Sequence, residues 1–198
     1  MRLAVLASGN GSNLQAILDA CASGSLDASV VAVVSDRPDA KALSRAREAG
    51  VPRVVAHPIG SAAVFDRRVW DASLADIVAA SCPDWIVLAG FTRLLTRSFL
   101  DRFPGRVINV HPARPGELPG ANAIGRAFDE FGSGQRSSTG VMVHLVPDEG
   151  VDDGPVLAVE DVSIRASDTV DSLAARMHVV EHRLLLQTLI QLPREVRT

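Results

Sequence analysis

The chain has 198 residues, of which 47% are hydrophobic and 22% are charged, and its formal net charge is −3. This length and balance are typical of one globular domain with a sizeable core. The weak acidity and the absence of basic blocks argue against nucleic acid as a partner, and no membrane span or targeting segment is evident, so we expect a cytoplasmic protein. Cys21 and Cys82 lie in no CxxC motif or Cys/His cluster, and we predict no metal site.

The first predicted unit is a strand, a glycine-rich turn and a helix. Leu3–Ala7 is a continuous apolar run, as expected of a parallel strand that is buried on both faces. Ser8–Asn13 follows it, and Ser12 and Gln15 are spaced as a capping box at the start of an amphipathic helix. Free backbone N–H groups and the positive end of the helix dipole would meet there. This favours a single phosphate group, since neither GxGxxG nor GxxxxGK is present, although an ordinary turn without a ligand is the alternative.

Strands and helices alternate as far as residue 110. After the first helix we predict strands at Val30–Ser35, Pro52–Ala56, Trp85–Ala89 and Val107–His111, and helices at Ala40–Ala49, Ala62–Ser81 and Arg97–Phe103. This alternation indicates an α/β fold with a Rossmann-like, doubly wound and mostly parallel sheet.

The pattern changes after residue 111. A loop over Ala113–Asn122 precedes a short helix at Ala123–Phe131, and a last helix begins near Ser167 or Asp168. Between the two helices, Thr139–Val146 and Val156–Ile164 indicate two strands joined by a short loop. We therefore predict an antiparallel C-terminal part of the sheet, within a single domain.

Two polar side chains stand out in the strand Val107–His111. Asn109 and His111 are separated by two positions, so they point to the same side of the strand, and Pro112 ends it. Ligands of open α/β sheets bind at the carboxyl ends of the strands. The alternative is a core strand whose polar side chains bond to neighbouring loops.

A third polar residue, Glu181, falls on the apolar stripe of the last helix, between Met177 and Leu184. A carboxylate that faces inward is unfavourable unless it is paired, hydrogen-bonded or open to a cleft. We therefore weigh a buried ion pair with an arginine against an acid that binds a ligand.

Asp152 lies in the loop between the two late strands, where a surface aspartate is the simple interpretation. Together with Asn109 and His111, however, it completes a set of amide, imidazole and carboxylate. The amide and a protonated imidazole can stabilise an oxyanion, and a nearby carboxylate should raise the pKa of His111. Because no nucleophile elbow is present, direct transfer between two bound substrates is favoured over a covalent intermediate.

Four segments resemble the folate-dependent phosphoribosylglycinamide formyltransferases of purine synthesis, and the likeness covers essentially the whole chain. Asn-x-His-Pro with Asp-x-Gly-Pro is similar to the wider formyl-tetrahydrofolate transferase and hydrolase family, whereas the first segment is more specific to the glycinamide enzymes and their hydrolase relatives. The four segments are Ser8–Ile17 (SGNGSNLQAI), Leu88–Leu95 (LAGFTRLL), Asn109–Pro112 (NVHP) and Asp152–Pro155 (DDGP).

The resemblance implies a reaction and the two small molecules that take part in it. The formyl group of 10-formyltetrahydrofolate, the co-substrate, would pass to the amine of glycinamide ribonucleotide without a metal. The chain would be one formyltransferase domain over residues 1–198, with a ribonucleotide-binding half (1–110) and a folate-binding, catalytic half (111–198). We expect a monomer or homodimer without nucleic-acid or membrane partners.

The resemblance also assigns roles to residues. Asn109, His111 and Asp152 match the catalytic residues, and Glu181 matches the acid that binds the ribose. The turn that binds the phosphate is matched by Gly11, Ser12 and Asn13. The folate pocket is matched by Arg68 (or its neighbour Arg67), Thr92, Arg93, Leu94, Leu95, Asn109 and Val146, with the loop Val146–Val151 closing over the pterin.

One region departs from the family pattern. Ala113–Gly120 replaces the usual Ser-Leu-Leu-Pro segment, Asn122 stands where a histidine is frequent, and the loop before Asp152 is a residue longer than usual. Because these changes border the site, the sequence predicts the identity of the amine substrate less firmly than it predicts formyl transfer. A formyl-tetrahydrofolate hydrolase, which usually carries an additional N-terminal domain, is the first alternative. The others are a formyltransferase for another amine and a non-catalytic phosphate-binding module.

Overall fold

The apolar runs of the first 110 residues form a parallel sheet, and the next two strands extend it in the antiparallel sense. The computed structural model describes residues 1–57 and 65–193. Its strand order is β3-β2-β1-β4-β5-β6-β7, with β6 antiparallel to both β5 and β7. The predicted fold class, a doubly wound and mostly parallel sheet with an antiparallel C-terminal part, is confirmed.

The boundaries of most elements agree with the predicted ones to within a few residues. The strands are β1 (Arg2–Leu6), β2 (Ser29–Ser35), β3 (Val54–Ala56), β4 (Trp85–Leu88), β5 (Val107–His111), β6 (Ser138–Leu145) and β7 (Val156–Ser163). The helices are α1 (Ser12–Ala22), α2 (Lys41–Glu48), α3 (Arg67–Ala79), α4 (Arg97–Leu100), α5 (Ala123–Gly132) and α6 (Val170–Gln191).

Helices cover both faces of the sheet, which explains why β1 is apolar at consecutive positions. Leu3 and Val5 belong to a core that includes side chains of α1, α2, α5 and α6. Ala4 and Leu6 belong to a second core on the opposite face, with side chains of α3 and α4. The carboxyl ends of the parallel strands remain open between these layers.

The starts of three helices differ from the predicted ones. The predicted capping box of α1 is wrong: its N-cap is Gly11 in a left-handed conformation, and the Gln15 side chain bonds to Asp19 and Arg45 instead. α6 begins one residue after Thr169, which forms a capping box with Ser172. α3 begins at Arg67, and the predicted start of that helix at residues 62–64 lies outside the described residues.

In the described parts of the chain, no helix has the length and apolar character that crossing a membrane requires.

Candidate active site

The carboxyl end of β5 brings together the three residues that the sequence singles out. The side chains of Asn109 and His111 approach Asp152, which the loop between β6 and β7 supplies. Asn109 Nδ2 donates to Asp152 Oδ1 over 2.9 Å, and His111 Nδ1 lies 3.2 Å from Asp152 Oδ2. His111 is buried, with 4% of its surface exposed. The two carboxylate oxygens therefore hold the amide and the imidazole side by side.

The backbone around Asp152 is tightly constrained. Asp152 itself has a φ of +54°, a left-handed conformation that is unfavourable for a residue with a side chain. Two residues later, a Cβ on Gly154 would lie 2.0 Å from the carbonyl oxygen of Leu145, so only glycine fits there. This turn aims the carboxylate at β5, and its strain is of the kind found at functional sites.

A second histidine, His144, belongs to this cluster, and the sequence reasoning missed it. The antiparallel register places it opposite Asn109, whose Nδ2 lies 3.2 Å from His144 Nε2. His144 Nδ1 donates to the carbonyl of Leu145 over 2.8 Å, and its Nε2 lies 3.6 Å from Asp152 Oδ1. A polar residue inside the apolar strand 138–145 was the available signal.

The loop after Pro112 folds back over His111. The carbonyl of Leu118 accepts a hydrogen bond from His111 Nε2 over 3.0 Å, and the N–H of Gly120 donates to Asp152 Oδ2 over 2.8 Å. Both ring nitrogens of His111 thus face oxygen acceptors. A neutral ring can donate to only one of them, whereas a protonated ring donates to both.

The pKa values of the two partners are lowered for different reasons. Burial lowers the pKa of His111, and the opposing effects of the Asp152 charge and the Leu118 hydrogen bond do not compensate. The predicted upward effect of Asp152 on this pKa is present, but burial outweighs it, so the net shift is downward. For Asp152, burial acts to raise the pKa, but the neighbouring His144 and the hydrogen bond from the Gly120 N–H lower it overall. Asp152 is consequently ionised at neutral pH.

Next to this cluster lies a cavity of about 250 Å³. Its walls come from the carboxyl ends of β4 and β5, from residues 120–123 and from the loop before Asp152. All predicted folate-binding residues except Arg68 line it: Thr92, Arg93, Leu94, Leu95, Asn109 and Val146. Arg93 is oriented by the buried Asp36, whose Oδ2 accepts from Arg93 Nε over 3.0 Å.

The predicted phosphate turn forms a separate part of the site. Gly11 has a φ of +73°, and among the described residues no hydrogen bond uses the backbone N–H of Ser12 or Asn13. Arg45 fixes this turn by donating to the carbonyl and the side-chain oxygen of Asn10, over 2.8 and 3.2 Å. The sequence reasoning gave Arg45 no role, since it lies on the next helix.

Glu181 is buried beside the phosphate turn. Its Oε2 accepts a hydrogen bond from Asn13 Nδ2 over 3.0 Å, and 6% of its surface is exposed. No arginine pairs with it within the described residues, so the ion-pair interpretation is wrong. Burial raises the pKa of Glu181, against the opposing effects of Asn13 and the His178 charge. Among the described residues this buried acid has one hydrogen-bond donor, the Asn13 amide, so it can still accept from a ligand.

The family of the chain follows from comparison with known proteins. A family model described as "Formyl transferase" matches residues 1–189. The chain belongs to the formyl transferase family. It is 38% identical to the phosphoribosylglycinamide formyltransferase of Escherichia coli K12, over 93% of this chain and 83% of the relative. The corresponding values for the Dictyostelium discoideum enzyme of the same name are 37%, 94% and 95%.

Solved structures agree with this assignment. The crystal structure of phosphoribosylglycinamide formyltransferase from Bacillus halodurans superposes with a TM-score of 0.87 at 33% identity, covering 96% of this chain and 94% of that one. Glycinamide ribonucleotide transformylase 1 from Geobacillus kaustophilus gives a TM-score of 0.84 at 39% identity, with coverages of 95% and 96%. As a member of this family, the chain uses a folate-derived formyl donor.

One assigned residue of this formyl transferase lies away from the central cavity. Arg68 is exposed and lines a neighbouring polar groove with Thr96 and Arg97, whereas Arg67 points towards the buried Asp71, at 4.0 Å. The choice of Arg68 over Arg67 for the tail of the folate stays a prediction. Over residues 1–57 and 65–193, no group of His, Cys, Asp or Glu is arranged to hold a metal ion.

We expect Gly11→Ala to destabilise this formyl transferase by about 2–5 kcal/mol, which combines a left-handed alanine with overpacking. A Cβ on Gly11 would lie 2.8 Å from Ala42 Cβ and 2.9 Å from Ala42 Cα. Urea unfolding measures the loss. Gly24→Ala is the matched control, because Gly24 has a φ of +74° but no atom within 4 Å of its added Cβ. Equal losses in the two variants would show that the contact with α2 is unimportant.

Proposed function

We propose that this formyl transferase transfers the formyl group of 10-formyltetrahydrofolate to the amine of glycinamide ribonucleotide, a step of purine biosynthesis. The names of the similar enzymes support the substrates. The observation that carries the chemistry is the cluster of Asn109, His111 and Asp152 at the wall of one cavity. A non-catalytic phosphate-binding module would have no use for this cluster.

The two substrates are assigned to adjoining subsites. The folate donor occupies the cavity bounded by residues 92–95, and the phosphate binds the free N–H groups of Ser12 and Asn13 at the positive end of α1. Ser8 joins these regions: its N–H donates to the carbonyl of Gly90, and its Oγ accepts from the N–H of Thr92, both over 3.0 Å. Glu181, bonded to Asn13, accepts from the ribose hydroxyls between them.

In the reaction, the amine nitrogen attacks the formyl carbon and a tetrahedral oxyanion forms. Protonated His111 stabilises that oxygen by its positive charge, while its Nε2–H stays bonded to the Leu118 carbonyl, and Asn109 supplies its amide dipole. The ionised Asp152 stabilises the imidazolium and steers the proton that leaves the amine. The bond between the formyl carbon and the folate nitrogen then breaks, and that nitrogen takes up a proton, which gives the formamide and tetrahydrofolate.

Residues 1–198 act as a single formyltransferase domain in this proposal, with small-molecule substrates only, in the cytoplasm, as a monomer or homodimer. One continuous sheet through all the described strands supports the single domain. The simple division into a ribonucleotide half and a folate half is less sharp than the sequence suggests. Glu181 of the second half meets Asn13 of the first.

A formyl-transfer assay with and without the amine tests the proposal. With both substrates, the purified protein should give equal amounts of tetrahydrofolate and formylated ribonucleotide. Without the amine, no formyl group should be lost. The variant His111→Ala, purified in the same way, is the control for contaminating enzymes. Rapid formation of formate without the amine would identify a hydrolase, and transfer only to a different amine would identify another formyltransferase.

A further inference from the structure

Three consecutive residues, Leu118-Pro119-Gly120, connect the two members of the acid–base pair. The carbonyl of Leu118 accepts from His111 Nε2, and the N–H of Gly120 donates to Asp152 Oδ2. The orientation of both catalytic side chains therefore depends on where this tripeptide lies. It belongs to the segment of the chain that departs from the family pattern.

Arg126, on the first turn of α5, holds this tripeptide in place by hydrogen bonds. Its Nη2 donates to the carbonyl of Leu118 over 2.7 Å and to the carbonyl of Pro119 over 2.6 Å. The Leu118 oxygen therefore receives hydrogen bonds from Arg126 and from His111 at once, which uses both of its lone pairs. Arg126 touches no substrate subsite assigned above, so its influence on the reaction passes through the tripeptide.

We propose that Arg126 is a positioning residue for formyl transfer, which fixes His111 and Asp152 through the carbonyls of Leu118 and Pro119. This rests on the proposed function. The backbone conformation of the tripeptide requires stabilising contacts, because Leu118 has a φ of +47° and Gly120 a φ of +78°. A left-handed leucine is sterically unfavourable and persists only where its surroundings determine it.

Other ion pairs hold the same loop without touching this tripeptide. Arg136 pairs with Glu117 and, over 2.8 Å, with Glu130. Arg114 donates to Asp161 Oδ1 over 2.7 Å and to Ser138 Oγ over 2.8 Å. Loss of one of these pairs should loosen the loop, but the carbonyls of Leu118 and Pro119 would keep their hydrogen bonds with Arg126. Arg136 therefore offers a matched control for Arg126.

The charges around His111 add a second effect. The charged or titratable groups that face it are Asp152 from the β6–β7 loop, His144 from β6 and Arg126 from α5. Arg126 and a protonated His111 place two cations on one carbonyl oxygen. Removing the arginine charge should therefore make His111 easier to protonate.

The test compares Arg126→Met, Arg126→Lys and Arg136→Met in the formyl-transfer assay across pH. We expect kcat to fall about 10–100-fold in Arg126→Met, with the KM of each substrate changed by less than about twofold. Lysine should restore most of kcat, because a single arginine nitrogen makes both bonds. The His111 ionisation in the pH profile should move to higher pH in Arg126→Met and stay in place in Arg126→Lys.

Arg136→Met should lower the melting temperature without moving kcat or the pH profile. Equal kcat losses in the Arg126→Met and Arg136→Met variants, or an unchanged kcat in Arg126→Met, would overturn the positioning role. NMR titration of His111 in the ligand-free protein needs no activity. If the wild type transfers no formyl group, the proposed function fails, yet the upward shift of the His111 pKa in Arg126→Met still supports the coupling, and its absence refutes it.

Discussion

Replacing Asp152 by Asn is expected to lower kcat by about 10²–10⁴-fold, the range for loss of acid–base assistance, with much smaller changes in the KM of either substrate. Asn keeps the size of the side chain but removes the charge that faces His111 Nδ1 at 3.2 Å. Its NH2 group also replaces one of the two oxygens that accept from Asn109 and Gly120, so one of these donors loses its acceptor. Steady-state kinetics with each substrate varied in turn separates the two parameters.

The pH dependence gives this variant a distinct signature. Burial already lowers the pKa of His111, and Asp152 acts in the opposite direction. Without that carboxylate the pKa of His111 should fall further. As the pH rises, the imidazole should therefore lose its proton at a lower pH than in the wild type. The remaining activity of Asp152→Asn should therefore shift to lower pH. An unchanged pH profile would contradict the pairing.

A double variant tests whether the two residues work as a unit. His111→Ala and His111→Ala/Asp152→Asn should be almost equally inactive, because residues that act together are strongly non-additive. Fully additive losses would show that Asp152 acts independently of His111.

Replacing Glu181 by Gln is expected to raise the KM for the ribonucleotide about 10–150-fold, which corresponds to the roughly 1.5–3 kcal/mol of hydrogen bonds to a charged group. The KM for the folate donor should hardly change. Because burial raises the pKa of Glu181, its ionised form disfavours the folded state as the pH rises through that pKa. Gln still accepts from Asn13 and removes this effect, so the variant should be at least as stable above neutral pH.

The control for Glu181→Gln is Glu160→Gln, which removes the same charge from an ion pair with Arg183 on the surface. It should leave both KM values unchanged. A lower melting temperature of Glu181→Gln, with an unchanged KM for the ribonucleotide, would show that the carboxylate has a structural role only.

The sequence predicted the sheet and the cluster at β5 because both follow from local patterns. Continuous apolar runs report strands that are buried on both faces, and the spacing of Asn109 and His111 places them on one side of a strand whatever the rest of the chain does. Glu181 was detectable for a similar reason, as a charge on an apolar stripe.

What the sequence could not predict depends on contacts between distant segments. His144 joins the cluster through the register of β6 against β5, and Arg45 meets the phosphate turn through the packing of α2. The net shift of the His111 pKa has the same origin. A neighbouring carboxylate can be inferred from sequence, but the burial that outweighs it arises from the whole fold, including the loop that carries Leu118.

A single-turnover experiment with isotopically labelled formyl donor tests the central claim most directly. With enzyme in excess over 10-formyltetrahydrofolate and with glycinamide ribonucleotide present, the quenched reaction should show label leaving the donor and entering the ribonucleotide at the same rate. No label should become covalently bound to the protein, because His111 and Asp152 assist a direct transfer between the two substrates. Label bound covalently to the protein, or released as formate before the ribonucleotide is formylated, would contradict the account.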